Sequence, residues 1–200
     1  MSLRQPLAAA LVAAALGVTG CDNLVAPKSP FSGIDVTGGE MGGGALRLQD
    51  HDGRARSLAD FRGKVVVVVF GFTHCPDVCP TQLADMAKAV RQLGDRERDV
   101  QVLFVSVDPK RDTAELLRQY VPAFHPAFIG LRGSEAETAA VTKDFKVYVN
   151  QRAGKTPETY TIDHSAQSFV FDRQGRLRLL LPPNLASSAI SSDLRVLLNS

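Results

Sequence analysis

The sequence predicts an α/β fold built on a central, mainly parallel β-sheet. Two long apolar runs, VVVVVF at 65–70 and VQVLFVSVD at 100–108, have the continuous β-branched character of strands that are buried on both faces of a sheet. Segments with apolar residues at helical spacing lie between and after these runs, so strands and helices alternate along the chain. Such alternation requires right-handed crossovers between parallel strands.

From residue 45 onward each element has its own signal. Alternating residues around a glycine turn predict a β-hairpin, prolines and a glycine bound the first helix, and a Ser-x-x-Glu capping box opens the third. In chain order, the predicted elements are a hairpin at 45–58 with its turn at Asp52–Gly53, strand 65–70, a helix from between Pro76 and Pro80 to Gly94, strand 100–108, helix 113–121 stopped by Pro122, strand 128–131, helix 134–145, strands 146–150, 168–172 and 176–181, and a helix at about 186–198.

Composition restricts the classes of function. The chain has 200 residues, of which 44% are hydrophobic and 22% charged, which suits one domain with its own core, placed at residues 45–200. A formal net charge of +2, few aromatic residues and no tryptophan argue against nucleic-acid binding. Nothing in the sequence demands more than a monomer.

The N-terminus predicts export and a lipid anchor. Arg4 and the apolar stretch 7–18 have the pattern of a signal peptide over residues 1–20, too short to span a bilayer comfortably. The stretch ends in VTGC at 18–21, which resembles a bacterial lipobox, so Cys21 is the predicted lipidation site.

An ordinary signal peptide cut near Gly20 and an uncleaved anchor helix are the alternatives to lipidation. Asp22 after the cysteine resembles the signal that retains a lipoprotein in the inner membrane, so the predicted location is the bacterial inner membrane, facing the periplasm. Residues 21–44 are rich in Gly, Pro and Ser and are predicted to form a flexible tether between the lipid and the domain.

Two cysteines at the end of the first buried strand are the candidate functional residues. In GFTHCPDVCP, residues 71–80, Cys75 and Cys79 are separated by three residues and each is followed by a proline. Because proline is tolerated only in the first turn of a helix, the helix should begin between the two prolines, with Cys75 in the loop and Cys79 at the first turn. A helix N-terminus stabilises anions, so we expect both thiols to have lowered pKa values.

The residues alone leave three uses of this pair open. A structural disulfide over so short a loop would add little stability. A dithiol could exchange with other disulfides, and two thiolates could bind a soft metal such as Cu(I), zinc or an iron–sulfur cluster. Two sulfurs do not complete a zinc or iron site, so a metal would need a third ligand.

Histidine supplies the candidate third ligand. His164 directly precedes the predicted strand 168–172, in a connecting loop where functional groups gather in α/β folds, although a hydrogen-bonded loop histidine would occupy the same place. The other histidines are assigned to structure: His51 to a solvated turn, His74 to a position that points away from the neighbouring cysteine, and His125 to a packed loop.

The chain carries four motifs in a fixed order: GFTHCPDVCP at 71–80, SVDPKRDT at 106–113, FHPAFIGLRGS at 124–134 and TIDHS at 161–165. Together they closely resemble the Sco/SenC family of copper-binding, thioredoxin-fold proteins, over roughly residues 45–198. The resemblance implies a thioredoxin-like fold, with a central mainly parallel sheet, an N-terminal β-hairpin, and a C-terminal β-hairpin plus helix.

The resemblance also implies a set of site residues. Two cysteines and a histidine bind copper in the family, which carries over to Cys75, Cys79 and His164. These soft ligands suit Cu(I), and added water or carboxylate could allow Cu(II). Asp108, the aspartate of the SVDP stretch, is implied to lie near the site and to tune copper binding or transfer. Asp163 is expected to orient the histidine loop.

The implied function is that of a copper metallochaperone. It would receive copper, with another periplasmic protein as a candidate donor, and assist assembly of the CuA centre in cytochrome c oxidase subunit II. Such a protein is a carrier rather than a turnover enzyme. The alternative is a thiol–disulfide oxidoreductase that reduces the CuA-site cysteines of that subunit, with Cys75 and Cys79 forming a disulfide when oxidised.

Two sequence features favour the metal function. Thioredoxin-type reductases place a cis-proline before the strand that faces their cysteines, whereas HSAQSF at 164–169 has no proline and offers His164 instead. Peroxiredoxin-type peroxidases carry Thr or Ser three residues before the attacking cysteine, where this chain has Phe72. An interaction domain with a structural disulfide leaves the four motifs unexplained.

Overall fold

The computed structural model describes residues 29–39, 42–156 and 159–200. Within these ranges no helix is both long and apolar enough to cross a membrane. The elements are β1 (Ile34–Asp35), β2 (Arg47–Asp50), β3 (Ala55–Ser57), β4 (Val65–Gly71), α1 (Val78–Arg91), β5 (Val100–Ser106), α2 (Ala114–Phe124), β6 (Ile129–Arg132), α3 (Glu135–Asp144), β7 (Val149–Arg152), β8 (Thr161–His164), β9 (Ser168–Phe171), β10 (Leu177–Leu181) and α4 (Ser187–Leu198), with short 3₁₀ helices at Leu58–Phe61 and Gly94–Asp99.

The central sheet has eight strands in the order β1-β10-β9-β4-β5-β6-β2-β3. Its middle is parallel, because β4 pairs with β5 and β5 with β6 in the same direction. The pairings toward both edges are antiparallel. The predicted α/β class is confirmed. The sheet is mixed rather than mainly parallel, because the β9–β10 and β2–β3 hairpins and strand β1 add antiparallel pairings on either side of its parallel centre.

The core lies on both faces of this sheet. β4 is buried along its whole length, as its continuous apolar run predicts. Alternate side chains point to opposite faces, so the strand contributes to two apolar clusters. Val65, Val67 and Val69 belong to the cluster that includes residues of α1, α2 and α4, whereas Val66, Val68 and Phe70 belong to the cluster that contains Phe145, Phe169 and Phe171.

The structure departs from the predicted elements in two places after β5. Pro122 lies inside α2, which continues to Phe124, instead of ending it. Proline removes a single backbone N–H, and so close to the helix end this leaves only the last turn affected. The strand predicted at 146–150 occurs as β7 at Val149–Arg152, and it pairs with the unpredicted β8 in a separate two-stranded sheet.

Part of the predicted tether is folded. Signal residues 1–20, Cys21 and tether residues 22–28 lie outside the described residues, but β1 falls within the predicted 21–44 tether and pairs with β10 at the edge of the sheet. The buried carboxylate of Asp193 in α4 accepts hydrogen bonds from the backbone N–H groups of Ser32 and Gly33, each at 2.8 Å. A strand of two residues is too short to show periodicity, so it was not predicted.

Candidate metal centre

The two cysteines lie where β4 gives way to α1. α1 begins at Val78, with Asp77 at its N-cap, so Cys75 is in the preceding loop and Cys79 is in the first turn, as predicted. Cys75 is half-buried, whereas Cys79 is fully buried. Both thiols are free, and the backbone N–H of Cys79 donates to the Cys75 sulfur at 3.4 Å. Cys75 thus lies at the N-terminus of α1, where it accepts one of the helix's first backbone N–H groups.

Gly71, the last residue of β4, makes room for the buried sulfur. A Cβ atom at this position would lie 2.6 Å from Cε2 of Phe104 and 3.0 Å from Sγ of Cys79. Real Cβ atoms do not approach other atoms to 2.6 Å, so any side chain here would displace the ring or the thiol. The absence of a side chain at Gly71 therefore allows the Cys79 sulfur and the Phe104 ring to pack against the end of β4.

His164 meets the buried thiol from the other side. It is the last residue of β8, and its Nε2 lies 3.4 Å from Sγ of Cys79. Its Nδ1 lies 2.9 Å from the carbonyl oxygen of Ser165, which can only accept, so we assign the proton to Nδ1. The lone pair of Nε2 is then directed toward Cys79. Burial lowers the pKa of His164, which keeps the ring neutral and able to bind a metal.

The buried thiol does not have the lowered pKa that the sequence predicted. Burial raises the pKa of Cys79 well above its ordinary value, and the hydrogen bond with Cys75 raises it further. The helix N-terminus does not compensate because the sulfur has lost its hydration altogether. In the metal-free protein Cys79 is therefore a protonated thiol at neutral pH.

The donor set fits a soft metal, although its three groups are not yet gathered around one point. Among the described residues, no three His, Cys, Asp or Glu side chains form a ready-made cation cage. Cys79 and His164 are already in contact, while Cys75 lies at a cleft of about 230 Å³ that is also lined by Val78, Ile162, Asp163, His164 and Ala166. Two sulfurs and one imidazole are a donor set that Cu(I) accepts.

Asp108 is buried, but its carboxylate is engaged away from the cysteines. It accepts a hydrogen bond from the Tyr160 hydroxyl at 2.6 Å and pairs with Nε of Arg111 at 2.5 Å. The Arg111 guanidinium also lies 3.6 Å from the centre of the Tyr160 ring and donates to the Tyr160 carbonyl at 2.9 Å. Asp108 thus ties the loop after β5 to the residue that precedes β8.

Asp163, the second predicted near-site aspartate, lines the cleft beside His164. Its carboxylate pairs with Arg152 across the β7–β8 hairpin. The Nδ1 proton of His164 is held by Ser165 instead, so Asp163 acts on the ring through its charge, which favours the protonated imidazole.

Asp112 was missed in the sequence, although it lies within the SVDPKRDT motif. It is fully buried and accepts hydrogen bonds from the hydroxyls of Thr73 and Ser106, each at 2.6 Å, and from the backbone N–H of Thr73. Burial raises its pKa. Asp112 therefore fixes the start of the cysteine loop to the end of β5. The presence of a second aspartate in the SVDPKRDT motif was the sequence signal that could have identified this role.

The remaining histidines contribute to structure, as predicted, with one difference of detail. His74 is half-exposed and lies near Thr73 and Asp112, and His125 is buried and stacks on Phe128. His51 is not simply solvated, because its Nδ1 accepts the backbone N–H of Gly130 at 3.1 Å.

The chain is similar in sequence to proteins of one known family. The SCO1/SenC family model matches residues 35–199. The mitochondrial SCO2 homolog of Homo sapiens is 38% identical over 157 residues, which are 78% of this chain and 59% of that protein. An SCO2-like protein of Rickettsia prowazekii is also 38% identical over 157 residues, covering 77% of each chain. The chain thus spans less than two thirds of the human relative's length.

A solved structure extends the similarity to three dimensions. Bradyrhizobium japonicum ScoI with copper bound superposes with a TM-score of 0.72 at 35% identity, covering 78% of this chain and 99% of that one. The similarity confirms the thioredoxin-like arrangement implied by the sequence motifs.

Proposed function

The chain belongs to the SCO1/SenC family, and we propose that it binds one copper ion through Cys75, Cys79 and His164 as cargo and delivers it during assembly of the CuA centre of cytochrome c oxidase. The single observation that carries the proposal is the contact at 3.4 Å between the Cys79 sulfur and the unprotonated nitrogen of His164, with the half-buried Cys75 at the adjoining cleft. Copper-bound relatives give the metal its identity.

The three groups have different tasks in this proposal. Cys75 lines the cleft, and its sulfur accepts a hydrogen bond from the backbone N–H of Cys79. Its thiolate is therefore the first ligand to contact incoming copper and the last to release it. Cys79 must release its proton as it binds, which costs more than usual because its pKa is raised. His164 is neutral and needs no deprotonation at Nε2. Two thiolates and an imidazole favour Cu(I), and the open cleft leaves room for a water ligand to Cu(II).

An anaerobic Cu(I) titration against a chromophoric competitor tests the site. The full chain, kept in detergent and carrying Cys21→Ser to remove the third thiol, is compared with the same chain bearing His164→Ala or His74→Ala. We expect one tightly bound copper per chain, about tenfold or more weaker binding in His164→Ala, and unchanged binding in His74→Ala, whose ring is half-exposed. Equal affinities in all three chains would remove His164 from the site.

The asymmetry of the two thiols supports a second function, reduction of the CuA-site cysteines. A half-exposed sulfur at a helix N-terminus followed by a buried partner is the arrangement that thiol–disulfide exchange requires. The two functions are separated by incubating the protein with the isolated CuA domain of subunit II. Copper transfer to the reduced domain supports delivery, whereas reduction of its disulfide by the copper-free dithiol, with formation of a Cys75–Cys79 disulfide, supports the reductase.

We also propose that the protein is a monomer, lipid-anchored through Cys21 to the inner membrane and facing the periplasm, where another periplasmic protein loads it with copper. The signal pattern of residues 1–20 and the folded boundary near residue 31 support a short tether. Incorporation of labelled fatty acid into the wild-type chain but not into Cys21→Ser is the expected result. Equal labelling, or none in either chain, would contradict the anchor.

A further inference from the structure

Gln82 links the helix that carries Cys79 to the segment that follows His164. It lies three residues after Cys79 on α1, which puts the two side chains on one face of the helix. Its Nε2 donates to the carbonyl of Ala166 at 2.7 Å and to the hydroxyl of Ser168 at 2.9 Å. The side chain is 5% exposed, so both hydrogen bonds are shielded from water.

The position of His164 is not determined by the central sheet. β8 pairs with β7 alone, in a two-stranded sheet outside the eight-stranded one. The chain rejoins the central sheet only at Ser168, the first residue of β9. Three residues lie between. Ser165 is bound to Tyr148, whose carbonyl accepts the Ser165 N–H and whose N–H donates to the Ser165 hydroxyl, each at 3.0 Å. Gln82 binds the middle of this connection at Ala166 and its end at Ser168.

The polarity of Gln82 has no explanation in packing. Its Oε1 is buried and has no hydrogen-bond partner among the described residues, which is unfavourable for an amide. An apolar side chain of the same length would avoid this cost while filling the same space. The two donated hydrogen bonds are what the amide supplies and a hydrocarbon cannot.

We propose that Gln82 is a positioning residue that sets the distance between the Cys79 sulfur and the His164 imidazole. The inference rests on the proposed copper function of these ligands. One end of the Gln82 side chain is fixed to the helix of the first ligand, and the other holds the backbone two residues after the second. With this link in place, Cys79 and His164 are preorganised as half of the site before copper arrives.

The test replaces Gln82 by methionine, which keeps the length and the helix propensity but removes both donors. The matched control is Gln101→Met. Gln101 is 6% exposed and its Nε2 donates to the carbonyl of Ala127 at 2.7 Å, near the start of β5 and so at the opposite end of the parallel strands from the cysteines. Ser168→Ala removes one of the two acceptors and serves as a milder variant.

Three measurements are made on each full chain with Cys21→Ser in detergent. The first is Cu(I) affinity by competition. The other two, made in the copper-free state, are the imidazole ¹⁵N signals of His164 and amide hydrogen exchange at 165–168. We expect Gln82→Met to weaken Cu(I) binding about tenfold, to broaden or shift the His164 signals and to speed exchange at 165–168. Ser168→Ala should show the same changes more weakly. Gln101→Met should lower stability comparably but leave all three readouts as in the parent chain.

Gln82→Met indistinguishable from Gln101→Met in Cu(I) affinity and in the His164 signals would overturn the inference. If the parent chain binds no Cu(I), the proposed function fails. In that case the His164 imidazole signals and the hydrogen exchange at 165–168 of the copper-free protein still show whether Gln82 positions His164.

Discussion

At the scale of single residues, the two cysteines differ in chemistry although they share a loop. Cys75 is half-buried and accepts a backbone N–H, whereas Cys79 has no exposed surface and a raised pKa. Cys75 can therefore react with a partner protein, while Cys79 remains a protonated thiol beside His164. This difference between the two thiols comes from their unequal burial, which was not predicted from the sequence.

Thiol alkylation should reveal this difference. At pH 7.5 and without copper, we expect iodoacetamide to modify Cys75 at least about tenfold faster than Cys79, since only the thiolate reacts and the pKa of Cys79 is raised by burial. Mass mapping of quenched samples measures both rates, and the urea-unfolded chain, in which the two should react alike, is the control. Equal rates in the folded protein would contradict the assigned burial.

Gly71 offers a second residue-scale prediction. Because an added Cβ would lie 2.6 Å from the Phe104 ring, Gly71→Ala should lower the free energy of unfolding by about 1–3 kcal/mol. Gly44→Ala, where the added Cβ meets nothing within 4 Å, should change it by less than about 0.5 kcal/mol. Urea denaturation of both variants measures the two effects, and a stable Gly71→Ala would show that the ring and thiol can move aside freely.

At the scale of elements, the turns of two different hairpins are stabilised by the same arrangement of hydrogen bonds around an aspartate. Asp50 ends β2 and Asp172 follows β9, and each carboxylate accepts two backbone N–H groups from its turn and one arginine side-chain N–H. Burial alone would raise both pKa values, but these hydrogen bonds outweigh it and the pKa of each is lowered. Each carboxylate thus stabilises its turn only while it is ionised.

The turn at Asp172 predicts a pH-dependent stability. Its folded-state pKa lies below the unfolded value near 4, so its contribution is complete above about pH 5 and is lost as the pH falls through the folded-state pKa. Asp172→Asn should therefore cost about 1–3 kcal/mol at pH 7, and the difference from wild type should shrink below pH 4.

Urea denaturation of wild type and Asp172→Asn at pH 7 and pH 3.5 measures this difference. Asp52→Asn is the control, because Asp52 is an exposed turn residue whose pairing with Arg118 should matter little. A cost for Asp172→Asn that stays constant across this pH range would contradict the assignment.

Periodicity and capping residues predicted the helices and the long strands, since a buried run such as β4 or a capping box such as Ser134–Glu137 is a local signal. β8 was not predicted, because its four residues pair only with a neighbouring short strand and only one of them, Ile162, is buried in the core, which is too few to show a period. The existence of such a strand depends on tertiary contacts, including the bond from Tyr160 to Asp108.

At the scale of the whole molecule, the two ends of the domain are joined. β1 pairs with β10, and α4 binds residues 32 and 33 through Asp193, so the chain is fixed to the domain several residues before the predicted boundary at 45. The folded domain therefore begins closer in the sequence to Cys21, the proposed lipidation site, than a boundary at residue 45 would place it.

Breaking this junction should release the N-terminal segment. Asp193→Ala leaves the N–H groups of Ser32 and Gly33 without their acceptor, so we expect chymotryptic cleavage after Phe31 to accelerate severalfold. Ser192→Ala, at an exposed position of the same helix, should leave cleavage unchanged. Equal cleavage of both variants would show that β1 is held by its strand pairing alone.

The candidate site residues have clearer signals in the sequence than the contacts that hold them in place. Cys75 and Cys79 are marked by their spacing and prolines, and His164 was selected through the motif resemblance. Gln82 and Asp112 were missed because their partners lie far away in the sequence: Ala166 is 84 residues from Gln82, and Thr73 is 39 from Asp112. Such contacts are set by the fold, and a single sequence does not reveal them.

X-ray absorption at the copper K edge most directly tests the central claim that copper is held by two thiolates and an imidazole. The sample is the full chain with Cys21→Ser, loaded with one Cu(I). The account predicts two sulfur neighbours and one nitrogen neighbour, with the nitrogen lost in His164→Ala. A copper ion surrounded by nitrogen and oxygen alone, or an identical spectrum in His164→Ala, would contradict it.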